Sequence, residues 1–231
     1  MMSATGPHGG LSVTVAKRIA MMNRCRLPRR GVLAASVALL LGAAAPAASG
    51  TEEAAVAPIQ KLVDALVEIM KLGPTTPFQQ RYDILAPAID RTFDLAAILE
   101  ESVGPSWSTL PAAQQAMLTD AFRRYTVASY VNSFDDFNGQ RFEISPETRA
   151  VGNEQVVETK VIPKRGDPHE LDYVMRQGSS GWRVVDVLAD GSISRVAVQR
   201  SDFRRLLSRG GPQALAESLR TKSASLSEGP G

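Results

Sequence analysis

Cysteine and histidine are almost missing from this chain: one of the first and two of the second in 231 residues. That scarcity excludes disulfide frameworks, Cys–His nucleophile pairs and zinc sites built from Cys/His clusters or paired histidines. A phosphate-cradling glycine loop, a nucleophile elbow and a dinucleotide fingerprint are missing too. Acidic residues are absent from the first 48 positions, which hold six of the 26 Lys and Arg. No apolar run reaches the roughly 20 residues that a membrane-spanning helix needs.

The missing acidic residues mark an export signal. Met21–Arg30 is basic, Gly31–Leu41 is a short apolar run, and Ala43–Ser49 supplies small residues with an Ala-x-Ala cleavage pattern. Residues 1–48 are therefore predicted to be removed, with translation starting at Met21 or Met22. Cys25 lies ahead of the apolar run and cannot anchor a lipid. The product would carry 20 basic against 24 acidic residues, a formal −4, so it lacks the clustered basic surface that a nucleic-acid partner needs. Its one histidine, His169, sits beside the Gly166-Asp167-Pro168 turn and reads as an exposed loop end. About 180 residues suit a single domain.

Residues 49–55 read as a flexible lead-in and 56–220 as the domain. Pro58 suits a first helical turn, and Ile59, Leu62, Val63, Leu66, Ile69 and Met70 follow helical spacing up to Gly73-Pro74. Thr76-Pro77 starts a second helix carrying Phe78, Tyr82, Leu85 and Ile89. Asp94 caps a third that stops at Gly104-Pro105. Pro111 opens a long helix to about Phe134, whose broad apolar stripe includes Met117, Ala121 and Tyr125. After Asn138-Gly139 the period changes from 3.6 to 2. Strands are predicted near 141–144, 155–162, 169–177 and 181–189, joined by short turns. A final helix near Pro212–Leu219 precedes a Ser/Gly/Pro tail, 221–231, expected to be disordered. The order predicts an α+β domain: N-terminal helices packed on a curved antiparallel sheet of about four strands, with C-terminal helices.

Two apolar faces converge in this scheme. One is the helix stripe of Met117, Ala121, Tyr125 and Tyr130, with Ile98 nearby. The other is the sheet face of Val161, Leu171, Tyr173, Met175, Trp182 and Val184, extended by Ile193 and Val196. Periodicity alone cannot separate a filled core from a cavity, because both select the same residue types. Period-2 alternation also puts Asp186 on the face of Trp182, Val184 and Leu188, and helical spacing puts Arg200 with Val196 and Phe203. A carboxylate in that company needs a partner, so an Asp186–Arg200 ion pair is expected. Tyr125, Tyr130, Tyr173 and Asp186 are also the candidates for an acid–base site in a small cone-shaped isomerase or hydrolase. No catalytic set, metal site or cofactor is otherwise suggested.

The chain over 56–210 resembles the secreted toluene-tolerance proteins, the MlaC-type periplasmic lipid carriers. The resemblance rests on Arg81-Tyr82, Leu85-x-Pro87-x-Ile89, Phe93-Asp94, Gly104-x-x-Trp107, the Phe122, Tyr125, Tyr130 spacing, and Trp182–Val187 with Gly191, Arg200 and Phe203. The stretch Asp190–Arg204 is most similar to the hopanoid-associated branch, HpnM. The resemblance implies a non-enzymatic, monomeric periplasmic carrier that holds lipid chains between helices and sheet. It would contact membranes transiently and exchange cargo with an inner-membrane ABC-type or RND-type complex and an outer-membrane lipoprotein complex. One branch implies a phospholipid, the other a rigid polycyclic triterpenoid.

Overall fold

The computed structural model of the protein describes residues 47–228; of the predicted export segment, residues 1–48, all but Ala47 and Ala48 lie outside them. Helices α1 (Ala47–Leu72), α2 (Phe78–Thr92), α3 (Leu95–Val103) and α4 (Ala112–Ser133) come first, with a 3-10 turn at Trp107–Thr109. Strands β1 (Arg141–Val151), β2 (Glu154–Ile162), β3 (His169–Gly178), β4 (Gly181–Ala189) and β5 (Ile193–Ser194) follow, and α5 (Arg195–Ser227) closes the chain. The strands form one antiparallel meander in sequence order. This is the predicted α+β architecture, with one strand more than expected. The extra strand arises because the Asp190–Ser192 turn brings Ile193 back against Ala189. Gly191 is required there: its φ is +68°, and a Cβ would lie 2.8 Å from Glu170 Oε2.

The predicted boundaries hold where a cap or breaker sits. Asp94 Oδ1 accepts the Ala97 N–H at 3.0 Å and starts α3; Gly104 ends it. Pro111 flanks the start of α4. The chain ends differ from expectation. Residues 49–55 are helical, and Pro58 lies inside α1 instead of opening it. The Ala-rich segment has strong helix propensity, and Ala55 and Ile59 are fully buried. Residues 221–227, expected to be disordered, continue α5 because its last turns are anchored. Leu215, Ala216 and Leu219 are buried, and the Lys222 ammonium sits 5.9 Å from the centre of the Tyr125 ring. Gly210 and Gly211 leave helical geometry, with φ +64° at Gly211, so α5 is two helical pieces joined at that point.

The main core lies between the helices and the inner face of the sheet. Leu62, Leu66 and Ile69 of α1, Leu85 and Ile89 of α2 and Leu118 of α4 meet Val157, Met175 and Val184 there. A smaller cluster on the other face joins Val156, Val174 and Val185 to Ala97 of α3.

Strand β4 departs from simple alternation. Met175 pairs with Val184 and Val174 with Asp186, so Val185 is an extra residue, a β-bulge. Before it, Trp182 and Val184 join the main core; after it, Val187 does, while Leu188 packs with the smaller cluster. The face assignment of Asp186 and Leu188 with Trp182 and Val184 is thereby corrected. One inserted residue reverses the phase of everything after it.

Candidate functional site

A hollow of about 120 Å³ opens between α4, the start of α5 and the inner end of β4. Helix α4 supplies two neighbouring i, i+4 rows to it. One is Phe122, Thr126, Tyr130 and the flanking Phe134; the other is Tyr125, Ser129 and Ser133. Opposite stand Leu171 and Val187 from the sheet, with Phe93, Leu95 and Ile98 at the α2–α3 junction. Asp186, Arg195, Val196 and Gln199 complete the wall.

Aromatic rings form one side. Phe93 meets Tyr130 edge-on at 5.5 Å and Tyr173 at 6.3 Å, and Tyr130 stacks on Phe134 at 5.9 Å. The Tyr130 and Tyr173 hydroxyls hydrogen-bond to each other. Burial pushes the Tyr130 phenol up to about 12, against the pull of nearby Arg195, and burial also holds Tyr173 well above the ordinary range.

The Tyr130 shift has a sign that can be tested. The folded value lies above the unfolded one, so its contribution to stability is complete below pH 10. It is lost as pH rises through about 12, where the unfolded state ionises first. The urea midpoint should therefore fall steeply between pH 10 and pH 12 in the wild type. The fall should be smaller in Tyr130→Phe; an identical fall in both would remove Tyr130 as the cause.

Asp186, in the wall of the hollow, does not pair with Arg200. Its Oδ1 accepts the N–H groups of Val187 at 2.7 Å and Val196 at 3.0 Å, and its Oδ2 accepts the Ser194 hydroxyl at 2.5 Å. Ser194 Oγ in turn accepts the Ala197 N–H at 3.0 Å. Asp186 and Ser194 together cap α5 and tie it to β4. Arg200 instead donates to the carbonyl of Glu101 at 2.9 Å and pairs with its carboxylate, joining α5 to α3. The expected ion pair fails because donors closer along the chain saturate the carboxylate first.

Of the residues predicted to line a cavity, Ile98, Tyr125, Tyr130, Leu171 and Val196 do so. Ala121, Val161, Met175, Trp182 and Val184 are buried in the core and do not line the hollow, Tyr173 is buried just behind its lining residues Phe93 and Tyr130, and Met117 packs against that core. Ile193 is 40% exposed on β5. The residues that sequence reasoning missed include Phe93, Phe122 and Phe134, and the small hydroxyl residues Thr126, Ser129 and Ser133. Arg81 of the family pattern is buried in α2, with Nε and Nη1 unpaired, and does not line the hollow. Among the described residues no group of His, Cys, Asp and Glu could hold a metal ion, and no helix is long and apolar enough to cross a membrane.

Helices folded over a meander sheet, with an aromatic-walled hollow at their junction, define an α+β pocket protein. The chain belongs to the MlaC family: the family model described as MlaC protein matches residues 60–221. A similar solved structure is a phospholipid-binding protein from Ralstonia solanacearum in complex with a phospholipid. It is 24% identical, with 74% of this chain and 98% of that one covered at a TM-score of 0.65, a likeness of fold. No curated protein matches the chain.

Proposed function

We propose that this protein is a lipid carrier of the periplasm that takes lipid chains into the hollow between α4, α5 and β4. It would shuttle them between membranes with an ABC-type or RND-type transport partner. The lining carries the proposal: mostly aromatic and aliphatic side chains with small hydroxyls, and polar groups confined to Asp186, Arg195 and Gln199. Carrying a lipid through water requires hiding its chains, at about 0.8 kcal/mol per CH₂, and needs no chemistry. Family membership and the phospholipid held by the Ralstonia protein support the same reading, and the basic-then-apolar N-terminus supports export. On these grounds the cargo is a phospholipid or a hopanoid, and the partners are membrane complexes.

The acid–base alternative finds less support. Tyr130 and Tyr173 are spent on each other and pushed far from the pH range where a proton donor or acceptor works well. Asp186 is held by three donors.

Native mass spectrometry of the protein purified gently from its own cells is the test. It should show a bound species at lipid mass in a substantial fraction of molecules. Uniformly empty protein under those conditions would count decisively against a carrier.

A further inference from the structure

We infer that residues 195–209 of α5 form a gate over the hollow, hinged at Gly210–Gly211, which swings as a unit while residues 212–227 stay docked on the core. The inference rests on the carrier reading and supplies the movement that loading requires.

The two pieces of α5 differ in task as well as in direction. Every side chain that α5 gives to the hollow comes from the first piece: Arg195, Val196 and Gln199. The second piece gives none, and is anchored through Leu215, Ala216 and Leu219, none of them more than 1% exposed. Lys222 adds its contact with the Tyr125 ring. A break between the two lets one piece move while the other holds.

The joint is built for glycine at both positions. Gly211 stands at φ +64° and ψ −162°, backbone that a residue with a side chain rarely adopts. A Cβ on Gly210 would lie 2.7 Å from the Ala214 Cβ. Around Gly211 the space is open, with nothing within 4 Å of where a Cβ would stand. Its dihedrals can therefore change without collision, which is what a hinge of one or two residues needs.

The ties that hold the first piece shut are mostly polar and near solvent. Asp186 accepts the Val196 N–H at 3.0 Å, and Gln199 accepts the Ser102 hydroxyl at 3.2 Å. Arg200 pairs with Glu101, both partly exposed. Water replaces such partners as they separate, so parting them costs little. Only Val196 and Phe203 are buried on this piece, and Phe203 meets Phe122 edge-on at 6.2 Å. Phe122 lines the hollow, so moving Phe203 away widens the space beside it. The frame against which the gate closes is fixed: the Asp94 N–H donates to the Val184 carbonyl at 2.9 Å and ties the start of α3 to β4.

A cleavable bridge between α3 and the first piece tests this. Glu101→Cys and Arg200→Cys are combined in a chain whose only native cysteine is Cys25 of the predicted export segment. A bis-maleimide containing a disulfide joins the two thiols. Uptake of a fluorescent-chain phosphatidylcholine from vesicles should be slowed about tenfold or more by the bridge and recover when the linker is reduced. In the wild type, which needs no substitution, amide hydrogen exchange over 196–209 should run about tenfold or more faster than over 213–222. Equal uptake by the bridged and reduced forms overturns the gate and leaves the carrier intact. Equal exchange in the two pieces overturns the hinge, because α5 then moves as one body. If the wild type takes up no lipid, the carrier reading itself falls, and the exchange measurement alone decides the hinge.

Discussion

Replacing Asp186 with alanine should lower the unfolding free energy by about 3 kcal/mol, measured by urea denaturation at pH 7. The substitution removes three hydrogen bonds to one charged group and strips the N–H groups of Val187 and Val196 of their side-chain acceptor. It also detaches the start of α5 from β4, where the chain has turned sharply through Asp190 and Gly191, both at positive φ. Ser194 remains to cap Ala197 but loses the carboxylate that holds its hydroxyl. Asp186→Asn, which keeps an acceptor oxygen but not the charge, should fall between wild type and alanine. Arg200→Ala should cost no more than about 1 kcal/mol, because its guanidinium and the Glu101 carboxylate are 39% and 65% exposed. The two residues lie near the same joint but share no partner, so a double-mutant cycle should give coupling close to zero. Coupling above about 1 kcal/mol would restore the direct pair.

That contrast shows what the sequence could and could not carry. Asp186 and Arg200 are legible as polar groups set in apolar surroundings, and their elements are legible from period and punctuation. Which donor reaches the carboxylate first depends on the bulge at Val185, and the bulge leaves no mark in the pattern. Val184, Val185 and Val187 are apolar in either phase, so the strand reads the same with or without an inserted residue. The helix starts at Asp94 and Pro111 were legible because a cap and a proline each act within one turn. The helical run of 49–55 was not, since alanines fit both a mobile segment and a helix that finds a surface to bury.

The division between core and hollow was hidden for a related reason. Met175 and Val184 are fully buried while Tyr125 and Leu171 line the space, yet all four are the residue types of any apolar face. The available signal lay in volume. Thr126, Ser129 and Ser133 interrupt an aromatic stripe with side chains too short to fill the space opposite them. A filled core at those positions would call for larger groups.

Filling that space should separate stability from function. Ser129→Phe is expected to raise stability by about 0.5–2 kcal/mol, as cavity-filling changes commonly do, and to weaken lipid binding about 100-fold. The Ser129 hydroxyl donates only to the Tyr125 carbonyl in its own helix, at 2.7 Å, so removing it disturbs no contact between elements. At about 120 Å³ the hollow is smaller than the roughly 150 Å³ apolar cavity that accepts a benzene. On the carrier reading a lipid chain would therefore enter only if α5 and the sheet moved apart. A chain of about 16 carbons hides roughly 13 kcal/mol of apolar surface, enough to offset several broken contacts at that joint. A phenyl ring placed where the chain must start to insert removes part of that gain and strengthens the closed packing it competes with. Ser129→Ala, which leaves the space open, should match wild type in both measurements. If Ser129→Phe is folded and binds lipid like the wild type, the chain lies elsewhere. The open groove of about 410 Å³ on the opposite sheet face, bounded by Val151, Val156, Val174 and Val185, would then be the place to look.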